Sequence, residues 1–210
     1  LAPLLKKLYQ QRTEGGKKIS IVHLGDSHIL GSSITAEVRK RLQNAFGDAG
    51  RGLIFPYKVA GSNGPGDYIV ETNTRWYGSN CQRNLEETTP YGISGFLLES
   101  FQESGELILR LRDSSTLETR LFTKVTIFHR QDKSAVNFKL YDEATDQTGV
   151  LYLQDEYSKS YYFDRPVAQV RIKYHKQNEK EKGSVMLDGI LLENELSGVI
   201  YHSIGVNGGK

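Results

Sequence analysis

The chain of 210 residues has a single cysteine, Cys81. One thiol cannot build an internal disulfide framework or a cysteine-based zinc site. Charge of one sign is also missing: 27 Lys and Arg against 25 Asp and Glu leave a net +2. That balance argues against nucleic-acid binding, which needs a marked basic excess. No apolar run approaches the ~18 residues of a membrane span. There is no repeat at a fixed period and no low-complexity tract. The five histidines are scattered without metal-ligand spacing, so no catalytic metal and no cofactor are expected. The chain does not open on methionine; a signal peptide is therefore either removed or outside the sequence, and composition does not fix the compartment.

What is present is an ordinary globular composition, 38% hydrophobic and 25% charged, enough for one to two domains. Its character changes twice. Residues 1 to about 56 read as α/β. Leu4, Leu5 and Leu8 suit a short amphipathic helix ended by Gly15-Gly16. Ile19 to Leu24 is a short apolar run stopped by Gly25, as in a buried parallel strand. Ile34, Val38, Leu42 and Phe46 then recur on one face of a helix, with Ser32 or Ser33 as cap and Gly47 past its end. Residues 57–196 read as all-β. Leu107, Leu109 and Leu111 alternate with polar neighbours, as do Val136, Phe138 and Leu140, and Ala168, Val170, Ile172 and Tyr174. Period 2 repeated this often indicates an antiparallel sandwich. Residues 197–210 return to the first character, with an apolar strand to Ile204 running into Gly205-Val-Asn-Gly-Gly209. The expected organisation is an α/β domain of residues 1–56 and 197–210, interrupted by a β-sandwich at 57–196. An α/β domain of about 70 residues with two strands is too small to cover both faces of a parallel sheet, so the natural protein is expected to continue past residue 210.

Chemistry concentrates at Gly25-Asp26-Ser27-His28, at the carboxyl end of a strand and before a helix. Ligands bind at such strand ends in open α/β sheets, and a helix N-terminus stabilises developing negative charge. A plain Asx or Ser turn capping the helix explains the same residues. The Gly-x-Ser-x-Gly elbow is excluded, because position 29 is Ile. Asp26 as half of a glycosidase carboxylate pair lacks an evident partner. Among the histidines, His28 can shape the turn, His23 reads as structural, and His202 stands near the second turn. In the β region, Trp76-Tyr77 and Tyr157, Tyr161, Tyr162 and Phe163 suit either sugar stacking or core packing.

Ile21-Val-His-Leu-Gly-Asp-Ser-His-Ile29 resembles the first block of the SGNH (GDSL-type) hydrolases, in the GDSH variant of bacterial peptidoglycan O-acetylesterases. Ile204-Gly-Val-Asn-Gly208 is similar to that family's second block. The resemblance implies a partial flavodoxin-like α/β domain with a jelly-roll-like insert resembling a carbohydrate-binding module. It implies Ser27 as nucleophile and backbone oxyanion donor, Gly208 as a second donor, and Gly25, Asp26, His28, Gly205 and Asn207 as site-shaping residues. Trp76 and Tyr77 become candidate glycan contacts, an acetylated glycan the expected substrate, and the bacterial periplasm or exterior the expected location. The family's Gly-x-Asn-Asp block is absent: Asn63, Asn80 and Asn207 stand in Gly-x-Asn but no Asp follows. No Asp has a His three residues on, so the base and its orienting carboxylate are missing. Serine is a weak nucleophile without a base, and the 210 residues alone are expected to be nearly inactive. The alternative expectation is a carbohydrate-binding module on a vestigial α/β base.

Overall fold

The computed structural model describes residues 1–31, 33–82, 91–112, 121–131, 135–177 and 183–207. It opens with α1 (Ala2–Glu14), β1 (Lys18–Gly25), α2 (Ser27–Leu30) and α3 (Ser33–Phe46). Strands follow without another helix among the described residues: β2 (Gly52–Ile54), β3 (Tyr68–Glu71), β4 (Tyr77–Asn80), β5 (Phe96–Ser100), β6 (Ser104–Leu111), β7 (Phe122–Gln131), β8 (Val136–Asp142), β9 (Val150–Gln154), β10 (Ser158–Val167), β11 (Gln169–Lys176), β12 (Val185–Glu193) and β13 (Gly198–Gly205).

Two antiparallel sheets face each other across one core. One runs β4-β5-β12-β7-β10-β9, with β2 also pairing β12; the other runs β3-β6-β11-β8. The alternation read from sequence sets the inward faces: Leu107, Leu109, Val170, Ile172, Phe138 and Leu140 are buried, and Leu111 packs at the margin. Phe55, Phe96, Phe122 and Phe163 fill the centre, each contributing roughly 1.5–3 kcal/mol by burial. In β12 a register shift against β7 falls between Leu187 and Gly189. Asp188 at that bulge takes a two-pronged hydrogen bond from Arg130, at 2.8 and 2.5 Å.

The expectation of a partial flavodoxin-like α/β domain is overturned. Parallel strand pairing among the described residues is confined to β1 with β13, apart from one bridge of Asp48 to Val199. Among the described residues all other strand pairs are antiparallel, and three helices stand against thirteen strands. The apolar runs at 19–24 and 199–204 do form parallel neighbours, in register from Lys18↔Gly198 to Gly25↔Gly205. A doubly wound sheet needs several such strands with helices on both faces, and one pair does not make it.

The helix α3 also departs from its apolar pattern. Its buried positions are Thr35, Arg39 and Gln43, whereas Ile34 and Val38 are exposed. Only Leu42 and Phe46 join the small cluster of Leu8, Ile19, Val199 and Tyr201 beneath the parallel pair. Polar groups face inward because they meet backbone and charge there. Gln43 Nε2 donates to Gly50 and Val199 carbonyls and to Asp48. Arg39 and Arg51 both reach Asp67, at 2.8 Å and at 3.1 Å through two nitrogens. This buried cluster ties α3 to the start of β3. The chain leaves the parallel pair at 47–50 and returns at 194–199 through a shared set of backbone hydrogen bonds, Val199 N–H to Gly47 and Asn194 N–H to Ala49. Gly47 and Gly198 abut there, with φ of 93° and 147°, conformations that favour glycine.

Candidate active site

The end of β1 and the end of β13 meet at two glycines. Gly25 and Gly205 are register partners, and both are sterically required. A Cβ on Gly25 would collide with the Ile29 side chain, and one on Gly205 with the backbone of Leu30 and Asp26. The tight contact lets α2 fold directly over the strand ends. Leu30, at 2% exposure, anchors that turn in the main sandwich core. Val206 packs against the same core, and its N–H donates to the Gly25 carbonyl at 3.2 Å.

Asp26 caps α2. Its Oδ1 accepts from the His28 N–H at 2.9 Å and lies 3.1 Å from His28 Nδ1. Those contacts, the backbone N–H first, hold the Asp26 carboxyl below its usual range. This is the Asx-turn reading realised, and it leaves Ser27 exposed at the first position of the helix. The Ser27 N–H donates to no acceptor among the described residues, whereas the following N–H groups are engaged: His28 with Asp26 Oδ1, Ile29 and Leu30 with the Asp26 carbonyl. A hydroxyl and a vacant N–H at one position on a helix start can serve as nucleophile and anion donor together.

Asn207 reaches the other side of this region, its Nδ2 donating to Ser62 Oγ at 3.4 Å. Gly208 lies outside the described residues. The histidines are committed elsewhere. His202 Nδ1 accepts from the Leu53 N–H at 3.1 Å, which leaves Nε2 as the donor to Ser20 Oγ at 3.0 Å. Burial, followed by the nearby Arg51 charge, pushes its pKa down, so it is a neutral structural ring. His23 is hydrogen-bonded to the Tyr201 hydroxyl. No group of three or more His, Cys, Asp or Glu suited to a metal occurs among the described residues.

The aromatic candidates separate. Trp76 is half-buried against the sandwich core, edge-on to Tyr174 at 5.4 Å. Tyr77 is exposed, between the Arg75 guanidinium at 5.2 Å and the exposed Phe101 ring at 5.8 Å. Tyr161 and Phe163 are core residues, and Tyr157 is exposed. Sequence reading overlooked the outer face of the four-stranded sheet, because its polar alternation looks like any solvated surface.

No family model matches the chain, and no curated protein does. Among solved structures, one described as a peptidoglycan O-acetylesterase is similar over 99% of this chain and 52% of its own, at 21% identity and a TM-score of 0.68. The chain therefore spans about half the length of that neighbour, and at this identity the likeness is one of fold. Two others are a xylan-binding module CBM15, at 8% identity and TM-score 0.32 over 61% of this chain and 97% of its own, and a family 11 carbohydrate-binding module from Clostridium thermocellum in complex with a β-1,3-1,4-mixed-linked tetrasaccharide, at 11% and 0.28 over 73% and 99%. Likenesses that low carry no argument. No helix of the described residues is long and apolar enough to cross a membrane.

Proposed function

We propose that this chain carries the nucleophile of a serine esterase that removes acetyl groups from a bacterial cell-wall glycan or another polysaccharide, in the envelope or outside the cell. The observation that carries the reading is the exposed Ser27, with its vacant N–H, on a turn fixed by the Gly25–Gly205 contact. The resemblance of the Gly-Asp-Ser-His motif and the fold likeness to an O-acetylesterase support it. In this reading Ser27 Oγ attacks the acetyl carbonyl and its proton passes to a base. The Ser27 N–H and a Gly208 N–H hold the oxyanion. The sugar hydroxyl leaves with the proton, and water then hydrolyses the acetyl-serine.

The base is not found among the described histidines near Ser27, since His28 faces Asp26 and His202 is locked between Leu53 and Ser20. We assign it to an Asp-x-x-His motif outside these 210 residues. The test compares the 210-residue chain with a longer polypeptide that contains such a motif, on p-nitrophenyl acetate and acetylated glycan. General-base catalysis is worth about 10²–10⁴-fold, and the shorter chain should be slower by that order. Ser27→Ala in the longer protein should abolish turnover. Undiminished turnover in that variant would remove Ser27 from the chemistry and require another nucleophile, whereas no turnover by the unmutated longer protein would leave the glycan-binding reading.

A further inference from the structure

The outer face of the four-stranded sheet holds an open groove of about 800 Å³. Its floor is set by register. On β11, Lys173 stands directly opposite Glu106 of β6 on one side and Lys139 of β8 on the other. The next outward position, His175, stands opposite Ser104 and Asn137. Tyr141 lines the same groove, and the Lys173 ammonium lies 5.6 Å from its ring centroid.

Like charges directly opposite across strands are destabilising. Glu106 opposite Lys173 and the Tyr141 ring offset part of this, on the Lys173 side alone. Lys139 and Lys173 form no ion pair with any carboxylate among the described residues. Glu106, though opposite Lys173, instead accepts from Asn73 Nδ2 at 3.1 Å. The arginines of the same face are neutralised: Arg110 by Glu71 and Glu143, Arg171 by Glu143 and Asp146. Two exposed lysines without an ion-pair partner among the described residues thus stand at adjacent cross-strand positions of an open groove, which Glu106, Tyr141, Asn137 and His175 also line.

We propose that this groove binds an acidic polysaccharide, with Lys139 and Lys173 together holding the carboxylate of a uronic acid unit. Tyr141 offers its ring to an adjoining sugar face, and Asn137 and His175 offer hydrogen bonds to hydroxyls. Three strands set ~4.8 Å apart make a floor roughly 10 Å wide, which suits an extended chain. One isolated cation pair on a protein of net charge +2 matches a spaced carboxylate and not a continuous phosphate backbone. The inference rests on the glycan half of the reading above and is independent of Ser27.

The test is calorimetric titration of the 210-residue chain with oligogalacturonate, with its neutral methyl ester and with a neutral xylo-oligosaccharide. The acid form should bind, and both neutral sugars should bind at least ~10-fold more weakly. Lys139→Gln and Lys173→Gln should each weaken the acid form about 5- to 10-fold, and added salt should weaken it further. Lys139→Gln should keep or raise the Tm, because it removes a repulsion, and Lys173→Gln, which also gives up Glu106 and the Tyr141 ring, should change it little; this separates lost binding from lost fold. Equal affinity for the neutral sugars, unchanged affinity in the variants, or no binding by the folded chain would overturn the proposal. Uronate binding without Ser27-dependent hydrolysis in the longer protein would defeat the esterase reading alone. Ser27-dependent hydrolysis without uronate binding would defeat this inference alone.

Discussion

Acid should weaken this fold in part through a buried histidine of the sandwich. His129, on β7, is 1% exposed, and neither ring nitrogen has a hydrogen-bond partner. Its ring lies 5.3 Å from Phe138, and its register partner is Leu187. Burial, with the Lys159 charge adding to it and Asp155 opposing, pushes its pKa from 6.5 down to about 4. The unfolded chain therefore binds a proton between those values and the folded chain does not. Stability must fall as pH drops through that window. From linkage the loss is about 0.2 kcal/mol at pH 7 and roughly 2 kcal/mol at pH 5, levelling near ~3 kcal/mol below pH 4. His129→Leu keeps a similar volume, deletes the titration and removes two unpartnered nitrogens, each worth about 1 kcal/mol or more when buried. Urea denaturation of both proteins at pH 7 and pH 5 reads the difference. The variant should be the more stable at pH 7, and its advantage should widen by about 2 kcal/mol at pH 5. His202 titrates in the same direction but is common to both proteins and cancels. An advantage of equal size at both pH values would refute the account of a buried, unprotonated ring.

Two further outcomes follow from the packing. Asp67→Ala leaves Arg39 and Arg51 buried without their shared carboxylate, and should cost about 3–5 kcal/mol by chemical denaturation. Burial alone would raise the Asp67 pKa, but Arg51 and Arg39 more than offset it and hold it below the ordinary value, so in the parent this contribution is present above about pH 4 and lost on further acidification. Gly205→Ala forces a methyl into the backbone of Leu30 and Asp26 and should cost about 1–3 kcal/mol as an overpacked contact. Its melting temperature should drop well below that of Gly66→Ala, a position with open space around it.

The Ser27 turn was legible because its determinants are local. A strand end, a glycine, an Asx cap and a helix start occupy consecutive residues, and the structure forms that turn. Period-2 alternation likewise marked the strands that bury Leu107, Leu109, Val170 and Ile172. The parallel partner of β1 was legible as a second apolar run ending in glycine, although 172 residues of chain lie between Gly25 and Gly198. The fold class was misread because two apolar strands and a helix look alike whether they begin a large parallel sheet or form a single pair. Helix α3 was misread because its burial is decided by partners far along the chain: Asp67 draws Arg39 inward, the Val199 carbonyl draws Gln43, and Ile34 and Val38 are left outside. Strand register escaped the sequence altogether. Lys139 and Lys173 are ordinary exposed lysines until β8 and β11 pair and set them face to face. His129 reads from sequence as a polar surface position of the sandwich, whereas the fold buries it beside Leu187 and against Phe138. Local chemistry is written in consecutive residues; which charges meet, and which polar groups are sealed from water, depends on pairings that only the folded chain makes.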